Sequence, residues 1–230
     1  RSYGEGAGIG YSCDVALVNG VLYVNTPDGP QALEALTGRT VWKRGVRNYD
    51  ADYYQAVRSQ NFYCRIFAAP AAGKAVFFSS GGSRLDAYDA DTGAPIWSKS
   101  RTSLAGIEAV GNDPNLRVAF SSPVLCSGRN AYVIMETTRS EVFLLALDRA
   151  DGAVRWCVPV GWGGPQQGGY RVSFPSDLVM VGTDIVFCNG HGLIGRCDAA
   201  SGEMKWLVPY QRLRALQEAH ARPSVVLAYS

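Results

Sequence analysis

The sequence predicts an all-β chain, a run of four β-propeller blades each made of four antiparallel strands, and three observations carry that reading. The first is a rule repeated four times: an acid, three residues, a glycine, three residues, a tryptophan. It fits Glu34, Gly38 and Trp42; Asp89, Gly93 and Trp97; Asp148, Gly152 and Trp156; and Asp198, Gly202 and Trp206. With 20 acids, 26 glycines and 5 tryptophans in 230 residues, chance supplies only about 0.05 such matches, so four of them mark a structural repeat. The second is spacing: the tryptophans at 42, 97, 156 and 206 are separated by one blade plus an insertion of variable length. The third is a short apolar run before each turn, Val21–Asn25, Ala75–Ser79, Ala131–Met135 and Asp184–Cys188, as expected of many short strands joined by tight turns.

Blades are expected at about 10–45, 60–100, 117–160 and 170–209 of one domain, with the start of a fifth at 222–230. In the third blade the strands fall at about 119–126, 131–138, 142–148 and 154–159. In the fourth they fall at about 172–180, 184–189, 193–198 and 204–208. Each acid can accept backbone N–H bonds two residues on, and each glycine supplies the positive φ that closes the hairpin. Thr37, Thr92 and Ser201 can add hydroxyl bonds, and Asp151 takes that place in the third repeat. The tryptophan then opens the fourth strand with a broad apolar face to bury and one N–H to satisfy, which suits docking on the glycine turn of a neighbouring blade.

The fuller form Ala-x-Asp-x-x-Thr-Gly-x-x-x-Trp, met in full by Ala87, Asp89, Thr92, Gly93 and Trp97, resembles the tryptophan-docking motif of the quinoprotein alcohol dehydrogenase-like (PQQ-like repeat) propellers. The first repeat keeps Ala32 but has Glu34, the third keeps Ala146 but lacks the threonine, and the fourth has Arg196 in place of the alanine. The resemblance implies a ring of seven or eight blades. At about 40 residues per blade, four blades are a sector that other blades or a partner chain would complete. It also implies a location outside the cytoplasm, periplasmic in bacteria. Family members divide into quinone-dependent dehydrogenases and non-catalytic relatives. The catalytic members need pyrroloquinoline quinone and Ca²⁺, a catalytic aspartate and commonly a vicinal disulfide, and no adjacent cysteine pair occurs here. The reading is therefore a non-enzymatic protein-interaction or assembly scaffold with no cofactor. The alternatives are a PQQ-dependent alcohol or sugar dehydrogenase and a ligand- or glycan-binding sensor.

Composition narrows the partners. The net charge is +2 with basic residues scattered along the chain, which is not the footprint of a nucleic-acid binder. No apolar stretch approaches the ~20 residues that cross a bilayer as a helix. The six cysteines form no C-x-x-C and read as ordinary buried thiols.

A few residues outside the repeat invite a chemical role. Trp162 lies in a glycine-rich stretch, 160–169, that reads as a loop able to offer an aromatic face to a ligand or partner. Asp50, Asp52, Tyr53 and Tyr54 place two carboxylates beside two rings in an insertion, although a solvated acidic loop is the simpler reading. Cys188, His191 and Cys197 have metal-binding side chains, but a fourth ligand is missing, and Asn189 to Gly192 reads as a hairpin turn with a solvated histidine. No metal is expected. His220 is the only other histidine, and no serine stands in a nucleophile-elbow context.

Overall fold

The computed structural model describes residues 12–210, except 14, 27–28, 46–64, 73, 81–83, 105–106, 108–109, 112–115, 117, 163–175 and 190. The segments 50–54 and 222–230 and His220 lie outside the described residues.

Strand β1 (Ser12–Cys13) leads into the first blade, a meander of β2 (Val15–Val18), β3 (Val21–Thr26), β4 (Gly29–Glu34) and β5 (Thr40–Lys43). The second blade is β6 (Arg65–Ala72), β7 (Ala75–Ser80), β8 (Arg84–Asp89) and β9 (Pro95–Ser100). The third contains β10 (Val118–Phe120), β11 (Leu125–Ser127), β12 (Asn130–Thr137), β13 (Glu141–Asp148) and β14 (Val154–Trp162). The fourth is β15 (Asp177–Val181), β16 (Asp184–Cys188), β17 (Leu193–Asp198) and β18 (Met204–Pro209). Four antiparallel propeller blades are therefore present, each ending on the strand that carries its repeat tryptophan.

The first strand of the third blade is not the continuous 119–126 of the sequence reading. It is split into β10 and β11, which both pair with β12. Pro123 has no N–H to give the ladder, and in the gap the Ser122 hydroxyl accepts the Ile134 N–H at 2.9 Å.

Sheets in the middle of the stack are buried on both faces, so their strands read as nearly unbroken apolar runs. Along β12, Ala131, Val133 and Met135 pack towards the second blade and Tyr132 and Ile134 towards the fourth. Along β13, Phe143, Leu145 and Leu147 face back while Val142, Leu144 and Ala146 face forward. A third core joins Ala16, Tyr23 and Trp42 of the first blade to Val76, Phe78 and Tyr88 of the second. The first strands of neighbouring blades touch, β2 with β6 and β11 with β15, so the sheets converge on that edge. β1 adds to this convergence by pairing in parallel with β6, and Ser176 N–H bonds the Ser121 carbonyl at 3.1 Å.

Candidate functional site

The repeat turns are built alike. In the second blade Asp89 accepts Thr92 N–H at 2.8 Å, Thr92 Oγ1 at 2.8 Å and Asp91 N–H at 3.2 Å, and Gly93 N–H returns to the Asp89 carbonyl at 2.8 Å. Asp198 is held in the same way by Ser201 and Ala200. Glu34 takes the Thr37 hydroxyl at 2.6 Å, and Asp148 takes Ala150 N–H at 2.8 Å while Asp151 accepts from Ala153. Bonds to the ionised form hold all four carboxyls below their ordinary range. The Thr37, Thr92 and Ser201 contacts lead at Glu34, Asp89 and Asp198, and the Ala150 N–H leads at Asp148. The glycines close the turns at φ +71, +67, +71 and +77 for Gly38, Gly93, Gly152 and Gly202.

Three of these turns receive the tryptophan of the preceding blade. Trp42 Nε1 donates to the Ala90 carbonyl at 2.7 Å, Trp97 Nε1 to Arg149 at 2.9 Å and Trp156 Nε1 to Ala199 at 3.3 Å. The acceptor is always the residue after the motif acid. Each indole lies so close over the turn glycine that a Cβ there would sit 2.6 Å from Trp42 at Gly93 and 2.9 Å from Trp97 and Trp156 at Gly152 and Gly202. At Gly38 a Cβ would meet nothing within 4 Å, and Trp206 is 40% exposed, with no further blade after β18 among the described residues.

Beneath each docked indole the cross-strand partner is a fully buried alanine: Ala32 opposite Trp42, Ala87 opposite Trp97, Ala146 opposite Trp156. A methyl group lets the ring lie flat on its own sheet. In the fourth blade the partner of Trp206 is Arg196, whose guanidinium pairs with the buried Asp184 at 2.6 Å, as does Lys205 at 2.6 Å. The Lys205 bond, followed by that of Arg196, keeps the Asp184 carboxyl below its ordinary range.

Other residues fasten the joints without a repeat signature. Arg44 donates from Nε to the Gly93 carbonyl at 2.6 Å and from Nη2 to the Thr92 carbonyl at 2.7 Å. Tyr132 Oη gives a bond to the Ala199 carbonyl at 3.0 Å. At the opposite end of the third joint, Asn189 is fully buried, donates to the Val160 carbonyl at 3.1 Å and accepts from His191 N–H and Leu193 N–H. His191 is not solvated, as its turn position suggested. Its side chain is 11% exposed and its Nε2 lies 3.2 Å from Glu136 Oε1 of the third blade.

Trp162 is not in a loop: it ends β14, opposite Glu141, with its Nε1 bonded to the Arg139 carbonyl at 3.0 Å and its ring 58% exposed. Cys188 donates to Tyr210 Oη at 3.3 Å, and Cys197 is buried in the core against the third blade. Among the described residues no group of three or more His, Cys, Asp or Glu is placed to hold a metal ion. No described helix is long and apolar enough to cross a membrane.

A family model described as "Outer membrane protein assembly factor BamB", of the PQQ-like repeat type, matches residues 5–220. The chain belongs to this BamB-like PQQ-repeat family. Its fold is shared with BamB from Moraxella catarrhalis at 14% identity and a TM-score of 0.53, covering 85% of this chain and 48% of that one. It is also shared with the quinohemoprotein alcohol dehydrogenase ADHIIG from Pseudomonas putida HK5 (17% identity, TM-score 0.61, 85% of this chain, 33% of that one). A europium-containing methanol dehydrogenase shares it too (14% identity, TM-score 0.61, 91% of this chain, 43% of that one). The chain thus spans a third to a half of the length of these BamB-like and quinoprotein structures. No curated protein sequence matches it.

Proposed function

We propose that this chain is a sector of a non-enzymatic BamB-like propeller that holds protein partners outside the cytoplasm. The observation that carries the reading is the use of buried charge. Asp86, Asp148 and Asp184, the buried acids among the described residues, are each paired with arginine or lysine of their own sheet. These buried carboxylates hold their sheets together. The name of the matched family, an outer-membrane assembly factor, supports both the scaffold role and the extracytoplasmic location.

In this reading further blades, in the same or a partner chain, complete the ring: one receives Trp206 and another sends a tryptophan onto the Gly38 turn. The chain works without quinone. No group of three or more His, Cys, Asp or Glu among the described residues is placed to hold a metal ion.

Two measurements decide between scaffold and dehydrogenase. Adding pyrroloquinoline quinone with Ca²⁺ is expected to leave the absorption spectrum additive and to give no dye-linked alcohol oxidation; dye reduction dependent on alcohol overturns the proposal. A photo-crosslinkable amino acid at position 162, on the exposed indole site, is expected to capture a protein partner in cells.

The same exposed ring favours a second reading, a glycan- or ligand-binding sensor, because a fixed indole face is a stacking platform. Saturable quenching of tryptophan fluorescence by a glycan, lost in Trp162→Ala, would establish it.

A further inference from the structure

Between the second and third blades, on the end of the stack that carries the repeat turns, an open cleft of about 370 Å³ runs beside the Trp97 joint. It is lined by the buried Ala75 and the exposed Ile96 together with Lys74, Arg129 and Arg149. The one acid in it, Asp148, is already taken: Arg129 pairs with it at 3.1 Å, Arg155 also pairs with it, and Ala150 N–H bonds it at 2.8 Å. The Arg149 side chain is fixed by a bond from Nη1 to the Gly128 carbonyl. Beyond the Arg129–Asp148 pair the cleft lining keeps two positive charges, Lys74 and Arg149.

From this arrangement we infer that the cleft is a docking site for a short acidic-aliphatic peptide segment of a partner protein. The inference rests on the scaffold reading above and names where a partner would be held. Charge complementarity selects carboxylates for Lys74 and Arg149 and steers their approach. The exposed Ile96 selects an aliphatic side chain next to them, since a bare anion would leave it uncovered. The volume lies at the lower end of the ~300–1,000 Å³ that small-ligand pockets occupy, room for a few residues in extended form.

The test is a fluorescence anisotropy titration of the 230-residue chain with a fluorescein-labelled Leu-Glu-Asp-Leu peptide, beside its amide counterpart Leu-Gln-Asn-Leu. Saturable binding of the acidic peptide is expected, weakened by salt. It should weaken about tenfold or more in Lys74→Glu and in Ile96→Asp, while Ile96→Val binds like the parent. Circular dichroism and tryptophan emission show whether the variants keep the fold. Equal binding of the two peptides, unaltered binding in both folded variants, or no saturation at millimolar peptide overturns the assignment. Competition by inorganic phosphate at equal strength also overturns it, because Ile96 then plays no part. A partner crosslinked at position 162 whose capture ignores Lys74→Glu and Ile96→Asp leaves the scaffold reading standing and removes only this cleft. Quinone-dependent dye reduction removes the scaffold reading, and with it the partner this cleft would hold.

Discussion

The indole N–H of Trp42 reaches across the first joint to the Ala90 carbonyl, 2.7 Å away, and the ring roofs Gly93 so closely that no side chain fits beneath it. The same relationship joins Trp97 to Arg149 and Trp156 to Ala199. The mechanical unit of this fold is thus a tryptophan of one blade with the turn of the next.

Gly93→Ala and Gly38→Ala separate the two roles of the turn glycine. Both positions have positive φ, +67 and +71, so both substitutions cost about 1–2 kcal/mol of backbone strain. Only at Gly93 does the new Cβ fall 2.6 Å from an indole. Urea unfolding of the 230-residue chain is expected to show a distinctly larger loss for Gly93→Ala. Equal losses would mean that the Gly38 turn is also roofed.

Truncating Trp42 to alanine should cost ~3–5 kcal/mol, the range for a large buried aromatic, and truncating the partly buried Trp97 somewhat less. Trp42 is 7% exposed, whereas Trp206 is 40% exposed. Trp206→Ala is therefore expected to cost clearly less than either, by the same unfolding measurement.

Asp184→Asn tests the ion cluster of the fourth blade. The Asp184 carboxyl is held below the ordinary value by Lys205 and then Arg196. Its contribution to stability is present above the unfolded aspartate pKa of ~3.9 and is lost as pH falls through the folded value. The variant should be less stable at pH 7 and lose stability less steeply between about pH 5 and pH 2 than the parent. Parallel stability curves would show that the cluster adds nothing.

Asn189→Ala removes the bond to Val160 and leaves that buried carbonyl without its side-chain donor. A loss of ~1–3 kcal/mol is expected. Hydrogen exchange should accelerate first at His191 and Leu193, whose N–H groups both bond Asn189 Oδ1.

Burial pushes the thiols of Cys126, Cys157 and Cys197 up to about 11. Since the thiolate is the nucleophile, iodoacetamide at pH 8 should alkylate these three far more slowly in the folded chain than in urea. Rapid labelling of any of them in the folded state would contradict the packing at that site.

The blades were legible because their punctuation is chemically restricted. A positive-φ turn requires glycine, its acid must accept N–H bonds, and only tryptophan supplies so wide a face with a single donor, so Gly93, Asp89 and Trp97 announce themselves. The split between β10 and β11 had a signal, Pro123 inside the strand read at 119–126, but the partner that serves the gap did not. The Ser122 hydroxyl that serves the gap is paired with a residue 12 positions away. Trp162 looked like loop because glycines flank it, yet β14 continues that far to pair with Glu141. His191 looked solvated because its burial comes from Glu136 of another blade, a contact that local sequence does not encode. Arg44 and Asn189 join blades through bonds to carbonyls, and such bonds leave no residue pattern. Arg196, by contrast, was visible as a departure from the repeat, and its meaning emerged only when Asp184 and Lys205 were found beside it.

That arginine has a consequence for packing. At three joints the residue opposite the docked tryptophan is a buried alanine, Ala32, Ala87 or Ala146, so those joints share one apolar contact. The tryptophan surface of the fourth blade carries the partly exposed Arg196 guanidinium bound to the buried Asp184, and an apolar face pressed against it would strip water from the arginine. Arg196 therefore makes this face unlike the three docked ones, and a neighbour packed there would have to keep that guanidinium hydrated or hydrogen-bonded.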